Sequence, residues 1–154
     1  MPYEIERKFL LRNDDWRAAA DGGTRLRQGY LSDAPARTVR VRTRGERGYL
    51  TIKGQNVGTK RPEFEYAIPL ADAEALLDLC LTPLVEKTRY EVRHGAHRWE
   101  IDVFGGANAG LVLAEVELRS ETEAVLLPDW IGAEVSADVR YYNSNLISRP
   151  FTTW

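Results

Sequence analysis

The sequence predicts an α+β fold that is mainly β: a closed, eight-stranded antiparallel β-barrel with its helices packed outside. Three observations predict it. Eight segments alternate charged and apolar side chains, as strands do when their two faces meet different surroundings. The charged faces repeat like-sign pairs, such as Glu4 with Glu6 and Arg40 with Arg42, which call for shared ligands. Closing the sheet removes its edges and encloses room for a small ligand.

The strands are expected near 3–10, 24–31, 37–44, 48–54, 61–69, 85–93, 97–104 and 111–119. Arg44-Gly45-Glu46-Arg47-Gly48 and His94-Gly95-Ala96 read as hairpin turns, whereas 54–59 and 105–110 read as longer, glycine-containing connections. About four helical pieces lie between strands. Asn13 or Asp14 is placed to cap a short helix through Trp16 and Ala20. Pro69-Leu70-Ala71-Asp72 opens a helix carrying Leu76, Leu77 and Cys80. Ser120-Glu121-Thr122-Glu123 has the spacing of a capping box, and Ser136 is placed to cap a last helix over about 137–148, stopped before Pro150.

Composition narrows the function classes. A chain of 154 residues is enough for one domain with a real core, so one domain over 1–154 is expected. A net charge of -2 gives no overall pull toward nucleic acid or an anionic membrane, so any basic surface is local. The lone Cys80 excludes an internal disulfide and a multi-cysteine metal site. Met1-Pro2-Tyr3-Glu4 lacks the stretches of a signal peptide, and no apolar run approaches a membrane span, which points to a cytoplasmic protein. The sequence is compatible with a homodimer.

Written as two faces, Val39 and Val41 oppose Arg40 and Arg42; Leu50 and Ile52 oppose Thr51 and Lys53; Phe64 opposes Glu63 and Glu65. Further on, Thr88, Tyr90 and Val92 oppose Lys87, Arg89 and Glu91. Trp99, Ile101 and Val103 oppose Glu100 and Asp102, and Val116 and Leu118 oppose Glu115 and Glu117. In the first strand Glu4, Glu6 and Lys8 share a face, with Ile5 and Phe9 behind them. Carboxylates ~7 Å apart on one strand suit a hard cation such as Mg²⁺, which prefers oxygen ligands and leaves room for phosphate. The competing explanation is a sheet with one buried and one solvated face. Solvated faces usually mix signs, however, and here like charges recur two apart. Acids would then meet bases or metal, and bases would meet phosphate. The pattern alone leaves open which face is inside.

Glu4-Ile5-Glu6-Arg7-Lys8 resembles the Glu-x-Glu-x-Lys signature of the triphosphate tunnel metalloenzymes, the CYTH superfamily. The likeness continues in order through Gln28-Gly29-Tyr30-Leu31, Val39-Arg40-Val41-Arg42, Thr51-Ile52-Lys53 and Glu63-Phe64-Glu65. It runs on through Glu86-Lys87-Thr88-Arg89-Tyr90, Glu100-Ile101-Asp102, Glu115-Val116-Glu117 and Asp138-Val139-Arg140-Tyr141. The chain is most similar to the short bacterial inorganic triphosphatases of that family. The resemblance implies a tunnel with its charged face inside, binding triphosphate with one or two Mg²⁺ or Mn²⁺ ions. It implies Glu4, Glu6, Glu115 and Glu117 as metal-binding acids, with Asp102 as a further ligand. Lys8, Arg40, Arg42, Lys53, Lys87 and Arg89 become the phosphate clamp, joined by Arg140 from the last helix, although Val139 replaces the basic residue that members often carry before it. Lys87 is the candidate general base, because cations such as Arg89 would lower its pKa; a plain phosphate ligand is its other reading. Tyr30 is a candidate for orienting water or phosphate. Glu63 and Glu65 would position water or pair with tunnel arginines. His94 and His97 are not expected in catalysis, and Trp16, Trp99, Trp130 and Trp154 are expected to pack.

The implied reaction is hydrolysis of inorganic tripolyphosphate to pyrophosphate and phosphate. The family's class IV adenylyl cyclases and organic triphosphatases are the alternatives, and a non-catalytic polyphosphate-binding module is a third. The acidic pairs argue against the last, since binding an anion does not need them. No nucleic-acid or membrane partner is expected.

Overall fold

The computed structural model describes residues 2–154. Its strands are β1 (Tyr3–Leu11), β2 (Thr24–Ser32), β3 (Arg37–Arg44), β4 (Arg47–Gly54), β5 (Lys60–Ile68), β6 (Val85–His94), β7 (His97–Phe104), β8 (Val112–Glu117) and β9 (Ile131–Glu134). All pairings are antiparallel, in the order β5-β4-β3-β2-β6-β7-β8-β1, and β1 then returns to β5 to close the eight-stranded barrel. Closure rests on Tyr3↔Pro62, Glu4↔Arg61 and Ile5↔Lys60, while Glu6 to Leu10 pair with β8. The β3–β4 and β6–β7 hairpins turn at Gly45 and Gly95, whose φ values of 57° and 60° suit a residue without a Cβ.

Three apolar clusters surround the barrel. Phe9, Trp99, Ile101, Ala114 and Val116 point outward and pack under Trp16, Trp130 and Ile131. The helix α1 (Leu70–Leu77) lays Ala73 and Leu77 on Val41, with Cys80 closing the cluster just beyond the helix. The third cluster stoppers one end. Phe104 lies opposite Lys87 and Leu113 opposite Asp102, so both share the inward face of their strands. They pack with Tyr30, Val85, Leu146 and Ile147, the last two from the four-residue helix α2 (Asn145–Ser148). Each fully buried side chain of this size contributes roughly 1.5–3 kcal/mol of hydrophobic free energy.

Four local expectations differ from the structure. Ser120–Glu123 forms a turn, not a helix: one Glu123 carboxylate oxygen accepts the Arg119 amide and the other meets His97, so it cannot close a capping box. Trp130 then leads into β9, which pairs with β1 at Phe9 and Leu11. The long last helix is broken into a 3₁₀ turn at Val139–Tyr141 and α2. Ser136 does not cap it; its hydroxyl donates to Glu134 and accepts the amide of Lys8, so its hydrogen bonds go to the sheet. The piece through Trp16 is a 3₁₀ turn, Asp15–Ala19, without a side-chain cap. Among the described residues no helix is long and apolar enough to cross a membrane.

Candidate functional site

Inside the barrel the inward faces of the strands enclose a cavity of about 240 Å³. Among the described residues, seven carboxylates, six cations and Asn143 line it, and no apolar side chain does. A smaller space of about 60 Å³ adjoins it at Glu4, Glu6, Arg40, Lys53 and Asn143, and extends toward Lys8, Tyr30, Ser136 and Tyr142. The larger space alone exceeds the ~30 Å³ that one water occupies in the liquid several-fold. It is therefore a ligand-sized, wet hollow.

The strand period puts these groups there. Glu4, Glu6 and Lys8 come from β1, Arg40 and Arg42 from β3, and Lys53 from β4. Glu63 and Glu65 come from β5, Arg89 from β6, Glu100 from β7, and Glu115 and Glu117 from β8. Acids and bases are interleaved around the wall. Lys53 Nζ lies 2.6 Å from Glu4 and 3.3 Å from Glu63. Arg40 reaches Glu65 at 3.5 Å, and Thr51 Oγ1 accepts from Arg40 and donates to Glu65 between them. Lys8 Nζ is 3.6 Å from Glu115 and donates to the Tyr141 carbonyl. Arg89 forks onto both oxygens of Asp102 at 2.8 and 2.9 Å and reaches Glu100 at 3.2 Å.

Burial sets the proton affinities. Burial, with Glu115 and Glu4 nearby, pushes the Glu6 carboxyl up to about 8. Burial would also raise Glu115, but Lys8, Arg89 and Lys87 hold it at about 2. Glu4 and Glu117 are raised, chiefly by burial. Among the described residues Glu6 has no ion pair and no side-chain hydrogen bond, so a half-buried carboxyl on the wall is left without a direct partner. This is the environment a cation relieves. No three carboxylate, histidine or cysteine groups among the described residues stand close enough to hold a metal by themselves. Hard oxygen donors at Glu4, Glu6 and Glu117 fit Mg²⁺ nonetheless, since that ion binds through one or two carboxylates and completes its shell with water and substrate phosphate.

Three expected site residues are placed elsewhere. Asp102 lines neither space: its two oxygens receive Arg89 and the Lys87 ammonium at 2.7 Å, so in this structure it anchors cations and does not face the bore. Lys87 also lines neither space. Its ammonium is fully enclosed by Asp102, Asn143 and the Phe104 ring, out of reach of a water in the cavity, although burial draws its pKa down to about 7. The predicted lowering is present, but burial is its chief cause, with Arg89 and Arg42 adding to it. Arg140 points away from the bore; it grips Asp138 at 2.8 Å and lies over the Trp154 ring. With the helix broken, nothing carries it inward.

Tyr30 lines the smaller space and belongs to the apolar stopper. Trp16, Trp99 and Trp130 are buried, whereas Trp154 is partly exposed against Tyr141 and Phe151. Sequence reasoning placed Gln28, Thr51 and Glu100 in the strand motifs without assigning them a role, and missed Arg61 and Asn143. The first three share a strand face with Tyr30, Lys53 and Asp102, so the period alone could have found them. Arg61 pairs in register with Glu4, a contact that only strand pairing reveals. Asn143 sits in irregular chain and carries no periodic signal.

The family model described as CYTH domain matches residues 2–150. The chain belongs to the CYTH domain family. It is 45% identical over 152 residues to an inorganic triphosphatase of Acetivibrio thermocellus, covering 98% of this chain and 97% of that protein. It is 38% identical over 151 residues to an inorganic triphosphatase of Nitrosomonas europaea, covering 93% of this chain and 95% of the other. Among solved structures, the crystal structure of an inorganic triphosphatase superposes with a TM-score of 0.66 at 36% identity, covering 96% of this chain and 95% of that one.

Proposed function

We propose that this CYTH-family protein hydrolyses inorganic tripolyphosphate to pyrophosphate and phosphate within the barrel, using Mg²⁺ or Mn²⁺, on a small diffusible substrate in the cytoplasm. The single observation that carries the reading is the cavity itself: a hollow within the barrel whose wall combines a cationic clamp with a carboxyl group, Glu6, that has no direct partner among the described residues.

Arg40, Arg42 and Arg89 present planar forks that suit phosphate oxygens, and Lys8 and Lys53 act as point charges. In the resting wall Lys8, Arg40 and Lys53 rest on carboxylates that an entering polyanion displaces, whereas Arg89 keeps its Asp102 pair and offers the Nη1 that now rests on Glu100. Glu4, Glu6 and Glu117, with Glu115 beside them, are the residues that would hold the ions. A bound divalent ion supplies Lewis-acid neutralisation of phosphate charge and an acidified water. In the reaction a bond forms between water oxygen and a terminal phosphorus, and the bond to the bridging oxygen breaks. The proton shed by the attacking water is taken up by a phosphate oxygen of the products, and pyrophosphate departs with the electron pair. Arg42 and Arg89 stabilise the charge that collects on it, and the barrel wall limits access of bulk water. The buried Lys87–Asp102 pair sits beneath Arg89 and fixes where its fork points.

The test is phosphate release by purified protein with Mg²⁺ or Mn²⁺. Tripolyphosphate is expected to be cleaved faster than ATP or thiamine triphosphate. Cyclic AMP as the main product from ATP would overturn the reading in favour of a cyclase.

A further inference from the structure

Arg42 differs from the other cations of the bore. Lys8, Arg40, Lys53 and Arg89 each have a carboxylate within 3.6 Å. Among the described residues Arg42 has none; its Nε donates instead to Oε1 of Gln28 at 2.8 Å. The two residues are direct partners in the β2–β3 register, so the contact is built into the sheet. Gln28 has no exposed surface. Because the guanidinium offers only donors, the amide must turn its oxygen to Arg42, and that leaves Nε2 buried with no acceptor among the described residues. An orphaned buried donor is unfavourable, and an apolar side chain of the same length would avoid it.

Each replacement would give something up. Methionine would release Nε. Glutamate would hold Nε but neutralise the guanidinium. Glutamine holds Nε and leaves the positive charge and the two Nη groups available. We propose that Gln28 is a positioning residue for substrate binding: its neutral amide fixes the Arg42 fork in the bore while leaving its charge free for a phosphate group of the polyphosphate. The proposal rests on the reading that Arg42 grips phosphate. Burial, with Arg40 and Arg89 beside it, draws Arg42 down to about 9, so the side chain is still charged at neutral pH. A resident carboxylate would cancel a charge that the wall keeps for its ligand.

The experiment is a double-mutant cycle on tripolyphosphate hydrolysis with Gln28→Met, Arg42→Ala and the pair, alongside Gln28→Glu and thermal melts of all four. Gln28→Met is expected to raise KM about tenfold with a smaller change in kcat, which corresponds to about 1.4 kcal/mol. In the Arg42→Ala background the same change is expected to add nothing, because the residue it acts through is gone. Gln28→Glu restores the acceptor, so it should melt no lower than Gln28→Met and still bind tripolyphosphate weakly. A merely structural glutamine would give parental KM in Gln28→Glu. That result, a parental KM in Gln28→Met, or losses that multiply in full would overturn the proposal. An Arg42→Ala protein with parental kinetics would instead overturn the phosphate-binding reading and the proposal with it. Should Gln28→Met fail to fold, the parent still answers by NMR. Its Arg42 Nε–H signal, assigned by its loss in Arg42→Lys, is expected to be protected from exchange before and after tripolyphosphate binds; an unprotected signal contradicts the proposal.

Discussion

Asp102→Asn tests the charged interior without relying on activity. Asp102 is 0% exposed and receives Arg89 Nε at 2.8 Å, Arg89 Nη2 at 2.9 Å and Lys87 Nζ at 2.7 Å. An amide of the same shape removes the charge and turns one acceptor into a donor facing donors. Arg89 is then left with Glu100 alone, and Lys87, already drawn down to about 7 by burial, loses the carboxylate that favours its charged form. Breaking a buried pair in this way costs about 3–5 kcal/mol. For a chain of this length each kcal/mol moves the melting temperature by ~2–4 °C, so a fall of roughly 6–20 °C is expected in thermal denaturation without metal. Adding Lys87→Met removes the buried amine left without its partner and should recover part of the loss. The acid limb offers a second reading. Burial works against the Asp102 charge, but Arg89 and Lys87 outweigh it and hold the carboxyl well below its usual range. The unfolded chain takes up that proton near 3.9 and the folded chain does not, so stability falls as pH drops below about 4. This part of the acid sensitivity should disappear in Asp102→Asn. A variant melting within about 2 °C of the parent would refute the reasoning, because Asp102 could not then be the counter-ion of a dry, doubly cationic site.

Two further outcomes are expected. Glu6 keeps its proton to about 8 when folded but only to about 4.3 when unfolded, so the metal-free protein should lose stability as pH rises between those values. Glu6→Gln should flatten that slope in denaturant melts and lower metal-dependent turnover; an unchanged slope would remove Glu6 as the uncompensated charge. Arg140→Ala should leave kcat/KM for tripolyphosphate within about twofold of the parent, since a group outside the bore makes no transition-state contact. A loss of tenfold or more would bring that side chain back to the substrate.

The barrel was legible because its strands obey one rule. Val39-Arg40-Val41-Arg42 and Glu115-Val116-Glu117 carry the period of a strand between water-filled and apolar surroundings, and eight such runs leave little other topology. Which face lies inside was not in the period; the family likeness carried that. Phe104 and Leu113 show why, since they share the inward face with Lys87 and Asp102 and serve as the stopper. The C-terminal third was harder to read. Ser120 and Glu123 have capping-box spacing, but Glu123 meets His97 from a distant strand, and β9 is too short to show alternation. Lys87 and Arg89 look alike in sequence as inward basic residues two apart. Only packing separates them: one opens on the cavity and the other lies sealed beneath it.

Crystals of the protein soaked with tripolyphosphate and a divalent ion that supports no turnover test the central idea most directly. The expected density places the three phosphorus atoms within the barrel, with oxygens against Arg40, Arg42 and Lys53 and the ion against Glu4 and Glu6. Tripolyphosphate bound only on the outer surface, with the Lys53–Glu4 and Arg40–Glu65 pairs intact and the hollow holding water alone, would contradict it.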